Sequence, residues 1–290
     1  MNEQANRGIE AADPAAAEVG WASGPVAILR EFWRFTRGSL LLVSRGSPAY
    51  LAWIGLLALL IIGGVVAYAN QMQNGLITSN MRDPVSWGFY IGNFTFLVGV
   101  AAAAVILVIP AYVYRWGPIR EVVLLGEILA VSAVIMCILF VTVDVGHPER
   151  IWHMMPLVGA PNFPYSLLVW DVGVLSAYFV VNYFVVTYFV FMSYTGRSYN
   201  PAFILPIVFL SIPMAVSIHT VTAFLFMGLK SRPFWNEAIL APRFLASAFC
   251  SGPALLVLIF QVLRKLRPIE ISDAALRKIG ELLAYAMAIN

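Results

Sequence analysis

The chain has 290 residues, of which 61% are hydrophobic and only 11% charged, and its mean hydropathy is +0.83. Soluble domains run near half apolar and about a quarter charged, so an ordinary soluble enzyme and a disordered tail are both excluded. A formal net charge of +3 is too small and too scattered for a nucleic-acid footprint.

The first twenty-odd residues are polar and Ala-rich, with no apolar core preceding a cleavage site, so they do not read as a signal peptide. Over Pro25–Val43, Arg30, Arg34 and Arg37 alternate with Leu29, Phe32, Trp33 and Phe35. That pattern predicts a basic amphipathic helix lying in the membrane interface; a solvated linker is the plainer alternative. A spanning helix needs about 20 mostly apolar residues. Six segments qualify: Tyr50–Tyr68, Trp87–Tyr114, Val122–Val143, Leu167–Met192, Ala202–Leu229 and Phe244–Leu263. A seventh begins around Ile279 and stops at Asn290 in mid-pattern, a reach of about 17 Å or half a bilayer. The expectation is an all-α polytopic membrane protein, a transmembrane helix bundle. Residues 1–48 would form a cytoplasmic tail with the interfacial helix, and 49–290 the transmembrane domain, with the native chain continuing past Asn290.

Lys and Arg counts set the orientation. With the N-terminus inside, the inner segments carry Arg7, Arg30, Arg34, Arg37, Arg45, Arg115, Arg120, Arg197, Arg264, Lys265, Arg267, Arg277 and Lys278. The outer loops then carry only Arg82, Arg150, Lys230, Arg232 and Arg243. A cytoplasmic N-terminus in a multi-pass protein of the cytoplasmic (inner) membrane follows. The two long loops Asp144–Tyr165 and Lys230–Arg243 lie outside. They hold His147, Arg150, Trp152, Arg232, Trp235 and Arg243 among Pro and aromatic residues, which suits either an aromatic belt or docking of another protein.

Ionisable groups inside a membrane are costly and therefore functional candidates. Asn93, Asp171 and His219 fall in the outer half of three different helices, roughly 6–15 Å deep at 1.5 Å per residue. Asp144 ends a fourth helix on that side, and Glu127 stands alone towards the inner side. Each also has a structural reading. Asp171 would cap its helix or pair with Arg150. His219 would bond a backbone carbonyl, and Asn93 would join helices. Asp144 would end its helix, and Glu127 would snorkel inward. Pro206 and Pro213 precede His219, and Gly252-Pro253 interrupts the last full span; such breaks are plain kinks or line a cavity. Cys137 and Cys250 fall in apolar runs, too few for a metal cluster. Only one His is intramembrane, whereas a b-type haem between helices needs two. No CxxC, Walker loop, GxSxG or HExxH occurs. The expectation is therefore that the chain itself holds no haem or metal.

Several stretches resemble one family. Trp87-Gly88 through Gly92-Asn93-Phe94 and Gly99 resembles the second-helix signature of the NrfD / polysulfide-reductase membrane subunits. Gly146-His147-Pro148-Glu149-Arg150 with Trp152, and Asn162-Phe163-Pro164 through Trp170-Asp171, resemble the loop and helix that follow. Ser217–Phe224, Arg232–Asn236 and Ala241–Phe249 are the most specific, and are similar to the DsrP branch of the DsrMKJOP complex and to the related Hmc complex. Together these cover roughly Trp87 to Arg264. The resemblance implies two four-helix bundles, the second incomplete here. It also implies a menaquinone or ubiquinone site near the outer face of the first bundle, and a ferredoxin-like iron–sulfur partner docked there. Some relatives carry a His after the Asn-Phe pair; here the stretch is Val100–Ala104, so that contact does not transfer.

The leading expectation is a membrane subunit of a respiratory redox complex, carrying out quinone/quinol oxidoreduction in dissimilatory sulfur metabolism. His219 would be the direct partner of an exchangeable quinone, since its unperturbed pKa lies near neutrality. Asp171 would orient it or pass protons, and Asn93 would position the head-group. Electrons would cross to an extracytoplasmic iron–sulfur subunit over the Trp152 and Trp235 loops, with further cytochrome and membrane subunits present. Two rivals remain: a proton or ion pathway using Glu127 and Asp144, and a passive anchor for extrinsic redox subunits.

Overall fold

The computed structural model describes residues 24–82, 87–120, 122–155, 158–266 and 271–290. The polar N-terminal stretch with Arg7, and Arg267, lie outside the described residues. The helices in chain order are α1 Pro25–Val43, α2 Pro48–Asn74, α3 Phe89–Val108, α4 Gly117–Arg120, α5 Val123–Asp144, α6 Leu167–Thr195, α7 Pro201–Met227, α8 Leu240–Leu266 and α9 Asp273–Ile289. No strand element occurs among the described residues. Six helices are long and apolar enough to cross a membrane: α2, α3 with its extension to Val113, α5, α6, α7 and α8. They are the six spans read from hydropathy, with ends moved by a few residues. The chain is an all-α, multi-pass membrane protein.

Local chemistry sets the helix ends. Pro48 opens α2 with its missing N–H among the unpaired first donors, and the Ser47 hydroxyl accepts from the Tyr50 amide at 3.3 Å. α6 closes at Gly196, whose φ of +67° is the left-handed cap conformation; the Arg197 amide then donates to the Met192 carbonyl at 3.0 Å. Pro110 has no amide to continue the α-helical ladder. α3 therefore widens into a π turn over Ile109–Val113, with the Tyr114 amide on the Ile109 carbonyl at 3.3 Å. The last helix departs from the sequence expectation. It begins at Asp273 rather than near Ile279, because Ser272 caps it, accepting from the Ala275 amide at 3.2 Å. Hydropathy alone registers only its apolar second half.

The chain divides into two compact units. The first comprises residues up to Ser86 together with Tyr188–Asn200. In it, α1 has the predicted bounds and lays Phe32 and Phe35 edge-on against Phe191, both with ring centroids 5.6 Å away. Arg197 clasps Glu31, with Nη1 2.9 Å from Oε2 and Nη2 donating to Oε1 at 3.2 Å. The apolar side chains of α2, from Leu59 to Ile62 and at Val65 and Val66, are exposed, as suits a helix apolar on all sides and bathed in lipid.

The second unit, Trp87–Thr187 and Pro201–Asn290, centres on α3, which packs against α5, α7 and α8, while α9 packs along α8. Phe94, Val98, Val105, Val134, Cys137, Tyr178 and Ile218 form its core. The buried Tyr178 hydroxyl donates to the Ala101 carbonyl at 2.9 Å and so ties α6 to α3. Lys278 of α9 sits 4.5 Å from the Trp116 ring centre, and Arg264 donates to Asp273 at 2.7 Å.

Candidate functional site

One face of α3 carries Gly92, Thr95 and Gly99, with Gly88 at the cap just before the helix on the same side. Opposite them stand His219, Thr222 and Phe226 of α7, and Phe244, Ser247, Ala248 and Ser251 of α8. Trp87 and Trp235 complete the wall of a cavity of about 470 Å³, within the size range of small-molecule sites. Missing side chains on α3 make the room. A Cβ on Gly92 would meet nothing within 4 Å, whereas one on Gly99 would lie 3.2 Å from Ser251 Oγ. From Gly88 to Gly99 the cavity follows α3 for roughly 16 Å, about half a hydrocarbon core. The aromatic wall is continuous: Trp87 lies 4.9 Å from Phe226 and 6.4 Å from Trp235, and Phe226 lies 5.4 Å from Phe244.

The polar chemistry is concentrated on α7. His219 is buried, and its Nδ1 lies 2.8 Å from the Ala215 carbonyl. A carbonyl only accepts, so Nδ1 carries the hydrogen and Nε2 of the neutral ring is an acceptor. Nε2 is buried and has no hydrogen-bond partner among the described residues. One turn on, Thr222 donates from Oγ1 to Asp171 Oδ1 at 2.7 Å. Asp171 Oδ2 is also buried and unpartnered. His219 and Thr222 thus line the cavity, and Thr222 links it to a carboxylate on α6.

Asp171 is held beside the cavity by Thr222, which lies one turn from His219 on α7 and was not marked out in the sequence. Asp171 bonds Thr222 rather than Arg150. Asn93 stands elsewhere: at 3.6 residues per turn it faces away from the glycine face, and its Nδ2 donates to the Phe89 carbonyl of its own helix at 2.8 Å. It neither lines this cavity nor joins two helices. Asp144 is the last residue of α5, with Oδ1 buried and unpartnered. Glu127 does not snorkel; it is 2% exposed, with Oε2 unpartnered, on the buried face of α5.

The loop residues are largely exposed. His147 Nδ1 lies 2.8 Å from Glu149 Oε1 at the start of the turn Pro148–Met154. The Glu149 carboxyl is held below its ordinary range, first by a backbone hydrogen bond and then by His147. Arg150 and Arg243 are exposed, and Trp152 stacks on His153 at 3.8 Å. Arg232 lies 6.0 Å from the Trp235 ring centre. Trp235, expected as a docking residue, is also part of the cavity wall. Thr222 was legible as the residue three positions after His219, hence on its face. The Gly88–Gly92–Thr95–Gly99 row was legible as a helical stripe. Trp87 opens the second-helix stretch that carries the family resemblance, whereas Phe226 carried no signal apart from aromatic character. Among the described residues no three His, Cys, Asp or Glu side chains converge on a metal position.

The sequence profile of the family described as "Polysulphide reductase, NrfD" matches residues 78–289. The chain is 29% identical to a putative dimethyl sulfoxide reductase membrane subunit of Halobacterium salinarum, over 82% of this chain and 57% of that protein. It is 23% identical to a selenate reductase subunit of Mesobacillus selenatarsenatis, over 81% and 61% respectively. Against the "Hdr-like menaquinol oxidoreductase integral membrane subunit" of Archaeoglobus fulgidus the identity is also 23%, over 73% and 50%. The chain therefore spans about half to three-fifths of the length of these curated relatives.

Proposed function

Because the chain belongs to the NrfD polysulphide reductase family, we propose that it is the membrane subunit of a respiratory redox complex and exchanges electrons between a membrane quinone and an iron–sulfur partner. The observation that carries the reading is the buried, unpartnered His219 Nε2 in a chain whose cavity His219 itself lines. A quinol hydroxyl donates to such an acceptor. Oxidation releases both hydroxyl protons and an electron pair. His219 takes one proton at Nε2, and the other passes by way of the Thr222 hydroxyl to the Asp171 carboxylate that it already bonds. The electrons pass to the partner. The ligand would be menaquinone or ubiquinone, its ring packed against the aromatic wall, and the menaquinol in the name of the Archaeoglobus fulgidus relative supports the former.

The partner is a ferredoxin-like iron–sulfur subunit on the loop end that carries Arg150, Trp152, Arg232, Trp235 and Arg243. The excess of Lys and Arg on the other side supports an orientation with that end outside the cytoplasmic membrane and the N-terminus inside. Membership of the DsrP-like branch, and with it a place in dissimilatory sulfur metabolism, rests on the Ser217–Phe224 and Arg232–Phe249 stretches. A second reading, a proton pathway, is favoured by the buried unpartnered oxygens of Glu127 and Asp144.

The test is titration of the solubilised chain with a menaquinone analogue, read by quenching of its eight tryptophans. Saturable quenching is expected, and the His219→Ala variant should lose it. In the partner-complete complex His219→Ala should slow quinol oxidation about 100-fold or more. Unchanged binding and turnover in that variant would sink the assignment and leave a passive anchor or an ion pathway.

A further inference from the structure

We propose that α1 is a clasp for anionic phospholipid headgroups, lying in the membrane plane with Arg30, Arg34 and Arg37 as the phosphate ligands. The helix has three distinct faces, as its 3.6-residue period separates them. One face packs inward: Phe32 and Phe35 meet Phe191, and Glu31 is held by Arg197. A second is apolar and open, with Val26, Leu29, Trp33 and Leu40 between 69% and 73% exposed. The third presents Arg30, Arg34 and Arg37, one and two turns apart and all exposed.

The apolar and basic faces are neighbours, which is the order of hydrocarbon and phosphate at a bilayer surface. Glu31 is the only acid in the helix, and Arg197 occupies it. Among the described residues none of the three arginines pairs with an acid. The position of α1 agrees. Its inward contacts are the last turns of the spanning helix α6, and four residues, Ser44–Ser47, join it to the first turn of the spanning helix α2. Both tethers hold it where spanning helices end, at the headgroup level. The Tyr50 hydroxyl donates to the Val43 carbonyl at 3.2 Å across that joint. A phosphate accepts from the planar guanidinium in a paired geometry, which favours arginine over lysine at such a site. Juxtamembrane cations are attracted to anionic lipid in this way.

The experiment uses the full chain reconstituted in vesicles of phosphatidylcholine mixed with phosphatidylglycerol, one or the other brominated. Subtracting the fluorescence of Trp33→Phe from that of the unaltered chain isolates Trp33. Its emission should be quenched by both brominated lipids, and more strongly by brominated phosphatidylglycerol. Phosphatidylglycerol retained through purification should fall about fivefold for each of Arg30→Gln, Arg34→Gln and Arg37→Gln. Menaquinone-analogue binding should stay unchanged in all three, which reports an intact fold. Trp33 left unquenched by either lipid overturns the proposal and means that α1 lies in water or under a protein partner. Equal quenching by the two lipids with equal phosphatidylglycerol retention also overturns it, since the arginines then select nothing. The Trp33 measurement stands even where an arginine variant fails to assemble.

Discussion

His219 and Asp171 differ in what their hydrogen bonds leave over. The imidazole uses Nδ1 on the Ala215 carbonyl and keeps an acceptor at Nε2, while the carboxylate receives one proton donor, from Thr222, and keeps Oδ2. Thr222 is thus a positioning residue. Thr222→Val keeps its volume and removes the donor, a hydrogen bond to a charged group worth about 1.5–3 kcal/mol. Quinol oxidation in the complex should fall roughly tenfold or more for Thr222→Val, with analogue binding little changed, and Thr222→Ser should restore it. A valine variant with full turnover would remove Thr222 from the relay. At this scale His219 and Asp171 were legible because ionisable groups are rare in an apolar run. Asn93 lies off the cavity face for a physical reason: depth along a helix is readable from the sequence, but the side of the helix that faces a cavity depends on neighbours distant in the chain. A self-bonded amide such as that of Asn93 is invisible in composition.

Helix α3 works by what it lacks. Its glycines let α8 come close at Gly99 and leave open space at Gly92. Gly92→Leu fills that space without meeting a neighbour at its Cβ, and replaces a poor helix former by a good one, worth about 0.8 kcal/mol. The variant should melt at the same temperature as the unaltered chain or slightly higher, while saturable quenching by the menaquinone analogue disappears. Normal binding would mean that the ligand sits elsewhere. The ends of the elements were legible to different degrees. Pro25–Val43 follows from a proline at the start and the basic–apolar alternation, and the structure has the same bounds. The start of α9 was missed because a cap, Ser272, acts on the polar first turn, which a search for apolar residues passes over.

For the whole molecule, six long apolar stretches dictated six spanning helices, since every backbone polar group must be paired within the bilayer. Their lateral arrangement was not legible, because lipid-facing and partner-facing apolar surfaces have the same composition. The division into two units and the convergence of α3, α7 and α8 on one cavity come from packing. At this scale the loop surface can be separated from the cavity. Arg150→Gln combined with Arg243→Gln should lower co-purification of the proposed iron–sulfur partner at least tenfold, as loss of charged contacts in an interface does, and leave analogue binding intact. Undiminished co-purification would place the partner on another face.

Trp235 belongs to both the cavity wall and the loop that carries Arg232. A partner that shifts this indole on docking alters the shape of the space beside Phe226 and Trp87. Binding free energies are reciprocal, so whatever factor docking imposes on quinone affinity, an occupied cavity must impose on partner affinity. A complex of the proposed kind would then hold its redox partner most tightly at one particular state of the membrane pool, and a single aromatic side chain would set the sign of that preference.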